Sequence, residues 1–451
     1  GFFLEEQLKA IKTFLFEQSH FKSILFSSGI AFILKIIGML IAYISIVLIS
    51  NIYGSNIVGI FSVISSIVLV LSMVGSMGIN TATLRYTGQF TDDNNNLFQL
   101  YKNGFLISLY ASLIIGLLLF LSSKLIAVNL FDNLIYSKLL KFSAILLPFM
   151  ANLNINVQFL VGIKRFKASE FLRSVSTPLI IVLMIFSKSY LFDSNYFSIY
   201  ALGIGIILSS IFSNIAILRY FKNLKYTPDF DKEFLITKSS LFQTSFPMMI
   251  TAASALLLSN ISVIMCEIFL SSNDVGLFSV SWKIAAVVPL IMLAFNSMSG
   301  PKFADLFWNK KYEQLQQTIR KSTIFVFITS LFFALLIILF SDFLLGMFGK
   351  DFIATKDVLL LLIISQMIYC SFSANGIFLN MVGEQQLFAK IILSSLLINI
   401  FLNIFLIPTF GIIGAAISNV ITSFILNVLS AYIIKNKFNF KTYYYPKTLN
   451  F

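Results

Sequence analysis

GSNIVGIFSVISSIVLVLSMVGSMGINTATLRYTGQF, residues Gly54–Phe90, decides the fold because the chain uses its pattern twice. Shifted by 217 positions, Ser55–Val63 (SNIVGIFSV) becomes Ser272–Val280 (SNDVGLFSV), with seven of nine residues identical. At the same shift Arg85 falls on Lys302 and Tyr86 on Phe303. Each copy reads as a short polar turn, a glycine, a long apolar helix and a cation beside an aromatic ring. A repeat of this length implies two structurally equivalent halves, with function expected between them.

Working outward, the rest of the chain has the composition of a polytopic membrane protein. It is 58% hydrophobic and 11% charged, with mean hydropathy +0.91 over 451 residues. A soluble domain could not hide that much apolar surface. Twelve stretches approach the roughly 20 apolar residues that a crossing needs. They are Ser23–Ser50, Ile57–Ile79, Gly104–Ser122, Leu139–Val161, Phe171–Phe186 and Tyr196–Leu218, then Leu241–Phe269, Val275–Ser299, Ser322–Phe340, Val358–Val382, Leu387–Ile407 and Gly411–Ile434. We number them spans 1 to 12. The fold class is therefore all-α, with twelve transmembrane helices in two pseudo-symmetric six-helix lobes.

Charge orients the bundle. Counting Lys141, Arg173 and Lys390, which lie within four residues of a span start, with the sides they adjoin, the side holding both termini carries 24 of the 32 Lys and Arg residues and the opposite side six, and Lys35 and Lys283 lie deeper inside spans. By the positive-inside rule both termini are cytoplasmic. Six spans per half make the two halves parallel repeats about an axis along the membrane normal. The expected organisation is an amphipathic interfacial helix over 1–22, an N-lobe over 23–221, a cytoplasmic linker over 222–240, a C-lobe over 241–434 and a basic tail over 435–451. The linker holds KNLKYTPDFDKEFLITK (Lys222–Lys238), and the tail is expected on the inner leaflet. Glu5, Glu6 and Glu17 precede the first apolar span, so no signal peptide is expected. Cys266 and Cys370 lie in spans, which argues against a disulfide framework. The single histidine, His20, precedes span 1, which argues against an intramembrane histidine relay.

Polar residues inside spans are the candidate site. Lys35 sits midway along span 1, where a lysine costs about 2.5–3.5 kcal/mol to insert. A reach to either interface is long from there, so Lys35 is expected to face a polar interior. Lys283 lies in the outer half of span 8 and can either snorkel outward or face the same cavity. Arg85 and Lys302 are either positive-inside anchors or a pair of cations at the inner mouth. Span 4 carries Asn152, Asn154, Asn156 and Gln158 behind Pro148. Helical spacing pairs Asn152 with Asn156 and Asn154 with Gln158, on different faces. Interhelical hydrogen bonds account for some of these amides, and a watered, hydroxyl-binding surface for the others. Span 10 has a matching series in Gln366, Asn375 and Asn380. Lys164, Arg165, Lys167 and Arg173 form a basic cluster suited to anionic lipids. Glu267, the one acidic residue placed inside a span, is expected at an interface. Pro148, Pro178, Pro247 and Pro289 allow kinks. No metal-ligand cluster is visible, so no metal site is expected.

GSNIVGIFSV…GINTATLRYTGQF, SSNDVGLFSV…MSGPKFADLF and the six-plus-six plan together resemble the Wzx-type polysaccharide flippases, which handle O-antigen and capsule repeat units. These belong to the multidrug/oligosaccharidyl-lipid/polysaccharide (MOP) exporter superfamily. The resemblance covers essentially the whole chain; its motif marks the superfamily well and the substrate poorly. It implies a MATE-like, V-shaped cavity lined mostly by spans 1, 2, 7 and 8, with access alternating between the two sides. It places Lys35, Arg85, Lys283 and Lys302 on cavity-forming elements, with Asn152, Asn156 and Asn375 as further substrate-binding candidates. The implied substrate is an undecaprenyl-pyrophosphate-linked oligosaccharide moved to the outer leaflet of a bacterial inner membrane. The implied partners are anionic lipids and, for a monomer, a polysaccharide polymerase and a chain-length regulator; nucleic acid is not among them. No cofactor is implied, and the driving force stays open among a proton gradient, a sodium gradient and the membrane potential. The alternatives are a lipid II flippase, a cation-coupled drug exporter and a membrane glycosyltransferase or polymerase. A drug exporter would need an embedded carboxylate, where span 1 carries Lys35. The enzyme classes would need a catalytic loop, and the outer loops are short and lack one.

Overall fold

A computed structural model describes residues 19–87, 93–187, 195–223 and 237–443. Residues 1–18, most of the linker and residues 444–451 lie outside it, so the interfacial-helix expectation falls largely outside the described residues. The described chain is helical throughout, with no strand among the described residues. Among the described residues, nine helices are long and apolar enough to cross a membrane. Two of them are double crossings. Ser19–Gly75 holds spans 1 and 2, and Gln385–Phe438 holds spans 11 and 12. Straight, 54 residues of helix would reach about 80 Å, against a hydrocarbon core of about 30 Å. Each is divided at a glycine in a positive-φ conformation that other residues rarely adopt, Gly54 (φ 81°) and Gly411 (φ 60°). Span 8 is split into Ser272–Ala285 and Leu290–Trp308, and with it the count reaches twelve.

The two repeat copies are not broken in the same place. Span 8 breaks at Ala286–Pro289, as its proline allows. Span 2 stops at Gly75 and resumes as Ile79–Thr87, with Met77 and Gly78 both at positive φ. Gly78 lies so close to span 7 that a Cβ there would fall 2.1 Å from the Ser245 carbonyl oxygen. The end of span 2 is thereby laid on span 7, where the Tyr86 hydroxyl meets the Thr244 hydroxyl at 3.0 Å. The first half of span 1 packs within its own lobe, with Gly38 against Ser174 of span 5.

The tail departs from expectation. Phe440 and Thr442 are buried, and the Gln316 side chain bonds both the N–H and the C=O of Lys441. Phe440 joins a core with Phe303, Leu315 and Phe378. The described tail packs on the C-lobe, where Phe438 lies against the same core beside Phe440.

Candidate functional site: the seam between the lobes

At the end of the bundle opposite the termini, the repeated motif pairs with itself. Span 2 crosses span 8 with Gly59 against Gly276. A Cβ on Gly59 would fall 1.8 Å from Ser272 O, and one on Gly276 would fall 2.0 Å from Ser55 O. Only residues without side chains permit that approach, the device by which helices pack closely in lipid. Ser62 Oγ donates to Ser279 Oγ at 3.0 Å, joining two residues related by the 217-residue offset. Ser55 donates to Asn273. The conserved spacing within the chain is thus the two sides of one pseudo-twofold contact. Val58, Val63, Val275 and Val280 are fully buried around it.

The same end is held by two crosswise contacts. The loop between spans 9 and 10 docks on span 1. Tyr43 Oη donates to Leu344 O at 3.3 Å, Asn51 Nδ2 donates to Met347 O at 2.8 Å, and Ser50 donates to Phe348 O. Phe348 is buried edge-on to Tyr43 at 4.8 Å. On the other lobe Phe131, which the offset relates to Phe348, is buried against Tyr136 with ring centroids 4.6 Å apart. Tyr136 lies beside Glu267 of span 7. Glu267, close to the outer end of span 7, is 4% exposed, and its Oε1 accepts from Ser272 Oγ at 2.6 Å.

Lys283 points into this seam. It lies one helical turn from Ser279 on the same face, half-buried, with Nζ 5.8 Å from the centre of the Phe61 ring of span 2. Among the described residues no carboxylate pairs with it. The offset relates Lys283 to Ser66, whose hydroxyl donates to Asn260 Oδ1 of span 7 at 3.1 Å. The cation therefore breaks the symmetry of the seam.

The other candidates separate. Lys35 is half-buried and Arg85 exposed. Lys302 is half-exposed with Asp305 at 3.8 Å, a weak pairing in water. Arg85 and Lys302 occupy the same end of their spans, toward the termini, but those two helix ends share no extended packing. Spans 2 and 8 are therefore closed on each other at the far end and apart at the other.

Three amides correct the sequence reading. Asn152 Nδ2 donates to Ser210 Oγ and Asn214 Oδ1, both at 3.0 Å. Asn156 Nδ2 donates to Ser213 Oγ and Asn214 Oδ1, both at 2.7 Å, and accepts from Tyr101 Oη at 3.0 Å. They tie span 4 to spans 3 and 6 inside one lobe and do not face the seam. Asn152 also borders a groove of about 580 Å³ on the flank of that lobe, lined chiefly by apolar side chains such as Leu117 and Phe149. Asn375 is 1% exposed, donates to Asn427 O at 2.8 Å and accepts from Thr442, so it fastens the tail. Buried amides in lipid need such partners, and neighbouring helices supply them. Asn154 and Gln158, on the other face of span 4, are half-buried. Sequence reasoning missed the Ser62–Ser279 contact, although Ser55-x3-Gly59 and Ser272-x3-Gly276 are small-residue spacings that signal close helix crossing.

Comparison with known proteins agrees with this geometry. A family model described as "Polysaccharide biosynthesis protein" matches residues 24–307, and one described as MatE matches residues 247–405. The chain is 27% identical over 210 residues to a "Probable low-salt glycan biosynthesis flippase Agl15" of Haloferax volcanii, covering 46% of this chain and 44% of that one. It is 25% identical over 269 residues to an uncharacterized membrane protein, MJ1068, of Methanocaldococcus jannaschii, covering 58% and 52%. The chain spans about half the length of the curated relatives it matches. Among solved structures, an inward-facing multidrug resistance MATE family transporter of the MOP superfamily superposes with TM-score 0.68 at 13% identity, over 87% of this chain and 92% of that one. The lipid II flippase MurJ, in an inward closed conformation, superposes with TM-score 0.68 at 16% identity, over 89% and 87%. With a family match over more than half its length, the chain belongs to the family described as polysaccharide biosynthesis protein, and it shares the fold of the MATE transporters and MurJ.

Proposed function

We propose that this protein is a flippase that carries a lipid-linked oligosaccharide across a membrane by alternating access, from the leaflet on the side of its termini to the opposite leaflet. The substrate is a glycan joined through pyrophosphate to an undecaprenyl carrier. The carrying observation is Lys283, a cation at the closed seam with no carboxylate partner among the described residues. A buried or half-buried charge without a partner is costly, and an anionic head group entering from the open side supplies one. Lys35, Arg85 and Lys302 extend the cationic path toward the termini. The family membership and the name of the Haloferax relative support glycan flipping. The 24-to-six division of cations supports cytoplasmic termini in an inner membrane. An inside-negative potential then favours outward movement of the anion by about 2.3 kcal/mol per charge for each ~100 mV.

Depletion of the protein in its host tests this reading. Lipid extracts analysed by mass should show a lipid-pyrophosphate oligosaccharide accumulating, and the wild-type chain should clear it. Absence of any accumulating glycolipid under matched growth would refute the proposal.

A further inference from the structure

Span 5 carries an acid that its apolar stretch does not announce. Its helix runs Phe166–Ser187 and so begins before that stretch, with Glu170 inside it. A π-helical turn, Phe171–Val175, follows at once; such turns are rare and gather at functional sites. Ser174 in that turn is where span 1 makes contact: a Cβ on Gly38 would fall 2.5 Å from Ser174 O. Lys35 lies three residues before Gly38 on the same face of span 1, and the Glu170 carboxylate accepts from Ser174 Oγ four residues on. Spans 1 and 5 run in the same direction, so both charges sit one turn toward the termini from a backbone-to-backbone contact. Both are half-buried, and among the described residues neither is in an ion pair. Lys167 and Arg173, three residues to either side of Glu170, are exposed. The 217-residue offset sets Phe171 on Phe388 and Arg173 on Lys390, so the register holds here, yet Lys35 falls on Ala252 and Glu170 on Leu387. The two charges are present together in one lobe and absent together from the other.

We propose that Glu170 is the internal counter-charge of Lys35 and sets a charge threshold for the inner site, holding the lysine against singly charged phospholipid and yielding it to pyrophosphate. The inference rests on the flippase reading above. An uncompensated lysine at this depth is costly, and a carboxylate within reach on the adjoining helix lowers that cost while the site is empty. A cation open to the inner leaflet also attracts anionic phospholipids, which outnumber any biosynthetic intermediate. A phosphodiester lipid carries a single negative charge, as Glu170 does, but Glu170 is tethered beside the lysine and so competes at a high effective concentration. A pyrophosphate brings more charge and more acceptor oxygens, enough to displace the carboxylate and engage the ammonium in charge-assisted bonds. The bond from Ser174 keeps the displaced carboxylate aimed at span 1. When the head group leaves, Glu170 takes Lys35 back.

The test uses the full chain, purified in detergent, and the variant Glu170→Gln, which keeps an oxygen for Ser174 and removes the charge. Native mass spectrometry separates protein bound to undecaprenyl pyrophosphate from protein bound to dioleoylphosphatidylglycerol. Glu170→Gln should bind dioleoylphosphatidylglycerol about tenfold more tightly than wild type, the scale of a coupling between neighbouring charges. Undecaprenyl pyrophosphate should be displaced from the variant at correspondingly lower phospholipid. In a Lys35→Gln background, Glu170→Gln should change neither. Without added lipid, Glu170→Gln should lower the melting temperature only where Lys35 is present. Wild-type lipid preference in Glu170→Gln would overturn the proposal. So would equal effects with and without Lys35, which would assign the carboxylate to Lys167 or Arg173 instead. Failure of every protein to bind undecaprenyl pyrophosphate, with the phospholipid and melting results as expected, would refute the pyrophosphate-linked cargo and leave the pairing of Lys35 with Glu170 standing.

Discussion

Gly59→Ala tests the seam with one added methyl group. The new Cβ would lie 1.8 Å from Ser272 O and 2.9 Å from Gly276 N, both backbone atoms that no rotamer change can move. Alanine also gains up to about 1 kcal/mol of helix propensity over glycine. That gain is common to the closed and open states, since span 2 is helical in both, so it cancels from their ratio. What remains is an overpacking cost of about 1–3 kcal/mol paid only by the closed seam. The closed-to-open ratio should therefore fall by about 5- to 150-fold. Gly276→Ala should act alike, its Cβ being 2.0 Å from Ser55 O. The double variant should fall short of the product, because parting the seam once relieves both clashes. Gly346→Ala is the control, since its Cβ would meet Ile353 at an ordinary 3.7 Å. The assay is reaction of Ser62→Cys, buried when closed, with an impermeant maleimide from the far side. Equal reactivity in Gly59→Ala and Gly346→Ala backgrounds would refute the reasoning.

Further variants probe the cations and the amides. Lys283→Gln should keep or raise abundance, because a charge leaves the membrane, yet lose most of the flipping activity in a glycolipid-clearance assay. Lys35→Ala should behave similarly, with Lys35→Arg retaining part of the activity. Single Arg85→Gln and Lys302→Gln should each weaken clearance partially, and the double should depart from the product of the two if they act on one anion. Asn156→Ala leaves Tyr101, Ser213 and Asn214 short of a partner, and should cost about 1–2 kcal/mol of detergent stability with per-molecule transport unchanged.

The crossings and the two-lobe plan were legible because apolar length and the 217-residue repeat are properties of the sequence alone. The partition of polar residues was not. Spacing placed Asn152 and Asn156 on one face of span 4, but which neighbour that face meets depends on how spans 3 and 6 pack around it. Asn375 was misread for the same reason, since its partners Asn427 and Thr442 are 52 and 67 residues away. Glu267 was placed by its position near a span end; its burial was not legible, because it depends on Tyr136 of the other lobe. Span 8's break follows its proline, whereas the break in span 2 depends on glycines whose conformation only the neighbouring span 7 demands.

The central claim is tested most directly by purified protein in liposomes carrying a lipid-pyrophosphate oligosaccharide labelled in its sugar. Leaflet exposure is read by a lectin or glycosidase that cannot cross the bilayer. The account predicts that wild-type protein exposes the glycan that began in the inaccessible leaflet, and that Lys283→Gln leaves it protected. Equal exposure by both proteins, or none above protein-free liposomes, would contradict it.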